Sequence, residues 1–127
     1  MVIRGEKMYS YVKYEKELES DYRRALDQVK RPEEVADVFR EYAFKLVNMV
    51  YDDLPSNMKE QLKLLTEKED IEIGEELKEK LSGILEKSDL MAILKRMAQD
   101  AINRYKKLKH DDERTDLFRL GDNAKIH

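Results

Sequence analysis

Apolar residues recur along this chain mostly at steps of three and four, and that spacing predicts helices. Between Ser10 and Val29, the residues Tyr11, Tyr14, Leu18, Tyr22, Ala25, Leu26 and Val29 fall on one face of an amphipathic helix. Pro32 disfavours helical geometry at Arg31 but suits the first position of a new helix, with Glu33 and Glu34 at the positive end of its dipole. This second helix, Pro32 to about Leu54, carries Val35, Val38, Phe39, Tyr42, Ala43, Phe44, Leu46, Val47, Met49, Val50, Tyr51 and Leu54. One stripe cannot hold so many, so the helix is expected at the centre, touching neighbours on two sides.

Pro55 closes that helix, and Asn57 with Glu60 forms a capping box for a short third helix reaching about Lys68, with Met58, Leu62 and Leu65 inward. Glu69 to Gly74 alternates and then breaks, which predicts an extended connector burying one of Ile71 and Ile73. A fourth helix, Glu75 to Lys87, turns Leu77, Leu81, Ile84 and Leu85 inward and is weakened at Gly83. Ser88 or Asp89 caps the fifth, Asp89 to about Lys109. In that helix Leu90, Ile93, Leu94, Met97, Ala98, Ala101, Ile102, Tyr105 and Leu108 share one half of the wheel. The remainder, Asp111 to His127, is polar, with a turn of helix around Asp116 to Leu120 ended by Gly121, from which Leu117, Phe118 and Leu120 can dock. The pattern predicts an all-α fold: one domain over 1–127, a mostly antiparallel bundle of about five helices. Helices one, two and five supply most of the core, and 1–9 and 122–127 fray.

Composition narrows the function classes. Charged residues make up 42% of the 127 residues, yet the net charge is only −3, so the surface is mixed and does not resemble that of a DNA-coating protein. Hydrophobic residues at 41%, regularly spaced, argue against disorder. With no cysteine, disulfides and thiolate metal sites are excluded, and two histidines leave little for imidazole ligation, so neither metal nor cofactor is expected. The longest apolar run, Leu90 to Leu94, is too short for a membrane span, and Met1 to Lys7 lacks the apolar stretch of a signal peptide, so a cytoplasmic location is expected. Four Asn and three Gln beside abundant Glu, Lys and Arg match the bias of thermophile proteins.

Four groups of residues carry candidate chemistry. On the fifth helix Lys95, Arg96, Arg104, Lys106, Lys107 and Lys109, against Asp100 alone, can track a nucleic-acid backbone, with Lys95, Arg96, Lys106, Lys107 and Lys109 as the phosphate contacts; the alternative is an exposed face whose cations complement the helix C-terminus. Within Asn103-Arg-Tyr-Lys-Lys-Leu-Lys-His110, the pair Arg104 and His110 resembles the arginine–histidine motif of HEPN-type helical ribonucleases. That resemblance implies a histidine acid or base and an arginine stabilising phosphorane charge. Six residues of continuous helix rotate the two side chains about 120° apart, so they converge only if the helix ends near Leu108 or a partner chain supplies one of them. Carboxylates at Glu34 and Asp37, Asp52 and Asp53, Glu67 and Asp70, and Glu113 and Asp116 can hold magnesium where several oxygens converge, as in all-helical nucleotide pyrophosphohydrolases. Finally, seven tyrosines and the apolar surplus of helix two point to association. The leading expectation is a non-enzymatic interaction protein that self-associates, most simply as a symmetric homodimer through helix one or two, with Tyr11, Tyr14, Phe44, Val47 and Tyr51 at the interface.

Overall fold

The computed structural model describes residues 10–51 and 54–125, the stretch from 111 onward by its backbone. Four α-helices dominate: α1 (Val12–Gln28), α2 (Val35–Val50), α3 (Glu75–Lys87) and α4 (Leu90–Lys125). Short 3-10 turns at Pro32–Glu34 and Ser56–Gln61 and one antiparallel hairpin, β1 (Leu62–Leu65) with β2 (Asp70–Ile73), complete the order. The fold is predominantly all-α, as the apolar spacing predicts.

Cross-links between α1 and α4 fix their relative direction. Tyr11 donates its backbone N–H to Asp89 Oδ1 at 2.8 Å, Arg96 grips Glu15, Tyr22 donates its hydroxyl to the Met97 carbonyl at 2.6 Å, and Arg104 reaches the Leu26 carbonyl at 2.9 Å. Partners ascend together, so α1 and α4 run parallel. Helix α2 packs against both, antiparallel to α1, with Tyr42 packed on Tyr22 at 5.4 Å between ring centroids. Its residues Val35, Phe39, Ala43, Leu46 and Val47 are fully buried against α1, α4 and β1. The many apolar residues of α2 are thus explained by its central position. Half-buried Val38, Tyr42, Phe44, Val50 and Tyr51 close its flanks against the same core.

The third expected helix is not one. Ser56–Gln61 is a 3-10 turn without a side-chain cap, so the Asn57–Glu60 capping box does not form, and Leu62–Leu65 is a strand. Met58, Leu62 and Leu65 sit at helical spacing, but Leu62 and Leu64 also alternate, and a hydrogen-bonded partner decides between the two periods. Leu62 pairs with Ile73 and Leu64 with Ile71. Residues two apart in a strand share a face, so Ile71 and Ile73 are both half-buried, contrary to the expectation that only one is covered. The hairpin closes through Glu69, whose φ of 54° is unusual for a non-glycine residue, and Lys106 of α4 pairs with that side chain at 2.8 Å.

At the other end of the hairpin, Gly74 lets Gln61 approach α3. A Cβ there would stand 2.5 Å from Gln61 Oε1, the atom that accepts the backbone N–H of Leu77 at 2.9 Å and so caps the first turn of α3. Ser88, 4% exposed, joins α3 to α4: its hydroxyl donates to the Ile84 carbonyl and accepts the Leu90 N–H at 3.1 Å. Helix α4 does not stop near Lys109 or Gly121. It runs to Lys125, since a single glycine costs a helix only about 1 kcal/mol and no proline interrupts the stretch. Of the fraying expected at 1–9 and 122–127, residues 122–125 are instead helical, and 1–9 and 126–127 lie outside the described residues.

Candidate functional site

Arg104 is committed to structure. Its Nε donates to the Leu26 carbonyl at 2.9 Å, and its Nη2 donates to the carbonyls of Asp27 and Val29, both at 3.0 Å. These carbonyls lie at the C-terminal end of α1, where Leu26 also accepts the capping N–H of Val29 at 3.2 Å, and a guanidinium there meets the negative end of the dipole. His110 is exposed, about 1.7 turns further along the same uninterrupted helix. A separation of six residues places it about 9 Å along the axis and about 120° around it, so the chain does not bring Arg104 and His110 together.

The basic residues of α4 divide in the same way. Lys95, Lys106 and Lys109 lie on one flank of the exposed half of the helix, and Arg96 and Lys107 lie about 100° away on the other. Arg96 is engaged bidentately by Glu15, at 2.8 and 3.1 Å, and Lys106 by Glu69. Two of the six cations on this stretch are therefore paired with carboxylates from α1 and the hairpin.

The carboxylate pairs singled out by spacing do not converge among the described residues. Glu34 and Asp37 are exposed, with Asp37 near Arg40 at 3.5 Å, and Glu67 and Asp70 stand exposed at the hairpin end. Asp52 and Asp53, and the side chains of Glu113 and Asp116, lie outside the described residues. Glu-x-x-Glu spacings do occur, at Glu69 and Glu72, Glu72 and Glu75, and Glu76 and Glu79, but the first two fall on or beside a strand, where residues three apart face opposite ways. Among the described residues no group of three or more His, Asp or Glu is placed to hold a metal ion.

Two grooves remain. The first, about 370 Å³, runs between α1 and α4 and is lined by Glu15, Glu19, Arg23, Arg96 and Asp100 among others. Its charges are largely consumed internally: Arg96 by Glu15, and Arg23 by Glu19 at 3.0 Å. Burial raises the pKa of Asp100; Arg23 pulls it back down, while Glu19 and Glu15 add to the rise. Burial also pushes the Tyr22 phenol far above its ordinary range, with Asp100 adding to the shift, and its hydroxyl is already spent on the Met97 carbonyl.

The second groove, about 360 Å³, lies where the start of α1, the end of α2 and the last turns of α3 meet. Tyr11 and Tyr51, forty residues apart in sequence, come together there with Ile84, and all three are half-buried. Tyr14 stacks on Tyr11, centroids 5.9 Å apart and planes 13° from parallel. Exposed Lys80 and Lys87 form the basic rim, with bare Gly83 between them. Three of the expected interface residues, Tyr11, Tyr14 and Tyr51, are thus gathered at one end of the molecule. Phe44 lies apart, its ring under the ammonium of Lys59 at 5.6 Å; that lysine is also bonded to Glu41 and holds its carboxyl below the ordinary value. Val47 is fully buried in the chain's own core and offers nothing to a partner. The contribution of α3 went unseen in the sequence because Ile84 reads as core and the two lysines as solvated charge.

Comparison with known protein families, curated proteins and solved structures gives no match to this chain. Among the described residues, no helix is long and apolar enough to cross a membrane.

Proposed function

We propose that this chain is a non-enzymatic interaction protein that self-associates, most simply as a symmetric dimer, through the aromatic groove at the α1–α2–α3 end. The observation that carries the reading is the convergence of Tyr11, Tyr51 and Ile84 in a half-open cleft with a basic rim. Half-buried aromatic rings present large apolar area at low entropic cost, which is why tyrosine is enriched at interfaces. A second copy is the favoured occupant because the helix that supplies the basic rim also supplies an acidic ridge, so one surface contains both halves of a complementary pair. The chemistry that an enzyme reading would need is engaged elsewhere: Arg104 on α1 carbonyls, Arg96 on Glu15.

Amide NMR spectra recorded over a dilution series test this. Concentration-dependent shifts are expected at Tyr11, Tyr51, Gly83 and Ile84. Shifts confined to the exposed face around Lys95, Lys106 and Lys109, or none at any concentration, would refute it.

A further inference from the structure

Helix α3 carries an unusual arrangement of charge. Exposed Lys80 and Lys87 lie about 40–60° to one side of Gly83 on the wheel, and exposed Glu79 and Glu86 lie about 40–60° to the other. Each pair is seven residues apart, about 10.5 Å along the axis, so the basic and acidic ridges have matching spacing. Gly83 occupies the position four after Glu79 and four before Lys87, where an intrahelical ion-pair partner would stand. None of these four charges is within ion-pair distance of an opposite charge among the described residues, whereas Glu15, Glu19, Glu41 and Glu69 each have a cation within 3.0 Å. Nothing lies within 4 Å of where a Cβ on Gly83 would be, so the chain itself gives no packing reason for a bare backbone there.

We propose that the occupant of the aromatic groove is the acidic ridge of α3 from a second copy, the two α3 helices lying side by side and parallel about a two-fold axis, with their backbones closest at Gly83. This rests on the self-association reading and adds its geometry. In a parallel pair, Lys80 stands beside the partner's Glu79, and Lys87 beside the partner's Glu86, each offset by one residue, about 1.5 Å. The two-fold repeats both contacts, giving four ion pairs beside the tyrosine-lined clefts. An antiparallel pair would bring all four lysines to one side and all four glutamates to the other, so the charge pattern selects the parallel arrangement. A helix of 13 residues presents a contact at the small end of the specific range, which sets a weak, salt-sensitive dimer of about micromolar affinity.

Sedimentation equilibrium of the full chain at low salt tests the geometry with four proteins: wild type, Lys80→Glu/Lys87→Glu, Glu79→Lys/Glu86→Lys, and the variant carrying all four changes. All substitutions are on exposed positions, and circular dichroism checks that each protein remains folded. Each double variant is expected to weaken dimerisation about 10- to 100-fold. The fourfold variant, which exchanges the ridges, is expected to regain wild-type affinity, and an equimolar mixture of the two double variants to form heterodimers. A wild type that dimerises while both double variants keep its affinity overturns the α3 pairing and leaves self-association standing. A wild type that stays monomeric overturns both.

Discussion

Removing the Arg104 side chain separates a structural role from a chemical one. In Arg104→Ala the carbonyls of Leu26, Asp27 and Val29 lose their shared donor, and the end of α1 loses the cation beside it. A hydrogen bond from a charged donor contributes about 1.5–3 kcal/mol when shielded and less when water competes. The bonds to Leu26 and Val29 are part-buried and the one to Asp27 is exposed, which gives a total loss of about 2–3 kcal/mol with the dipole term included. For a chain of this size that corresponds to a fall in Tm of about 8–12 °C. Arg104→Lys should lose about 1–2 kcal/mol, since one ammonium cannot span three carbonyls in the same geometry. His110→Ala, at an exposed position, should change stability by less than about 0.5 kcal/mol. Thermal and denaturant unfolding followed by circular dichroism measure all three. If Arg104→Ala melts within about 2 °C of wild type, the guanidinium is not what holds the end of α1.

Other outcomes follow from the same packing. Asp100 binds its proton more tightly folded than unfolded, so the native state loses stability as pH climbs from about 3.9, the ordinary carboxylate value, through the raised one; Asp100→Asn should melt higher than wild type at neutral pH, with the difference vanishing by about pH 3. Gly74→Ala should cost about 1–2 kcal/mol by displacing Gln61 from the Leu77 N–H, and a Gln61→Ala/Gly74→Ala double variant should show clear non-additivity in denaturant titrations. Ser88→Ala, which leaves the Leu90 N–H without its acceptor, should cost about 1–2 kcal/mol in the same assay.

Where one physical signal dominates a segment, the sequence reads directly into structure. The stripe from Tyr11 to Val29, the start at Pro32 and the span from Glu75 to Lys87 all appear as the spacing predicts, because amphipathic period and boundary residues agree there. Leu62 to Ile73 was less legible, since its leucines satisfy both periods and Thr66 to Glu69 contains no glycine or asparagine to announce a turn. Pairing of the two strands, and the packing of β1 on α2 and of β2 on α4, decide it. The surplus on α2 was read correctly as two-sided contact, but one chain cannot show in advance whether the second side is covered by itself or by a copy; here α1, α4 and β1 cover it. Tyr11, Tyr14 and Tyr51 were visible as candidates, whereas their meeting with α3 depends on how the ends of three helices are brought together. Arg104 reads as one more surface cation until the end of α1 is seen beside it.

Self-association is the central claim, and its most direct measurement is molar mass against concentration by sedimentation equilibrium at low salt. A weight-average mass rising from 15.1 kDa toward twice that value, and falling back as salt is added, is expected. A mass that stays at 15.1 kDa up to the highest attainable concentration would contradict it.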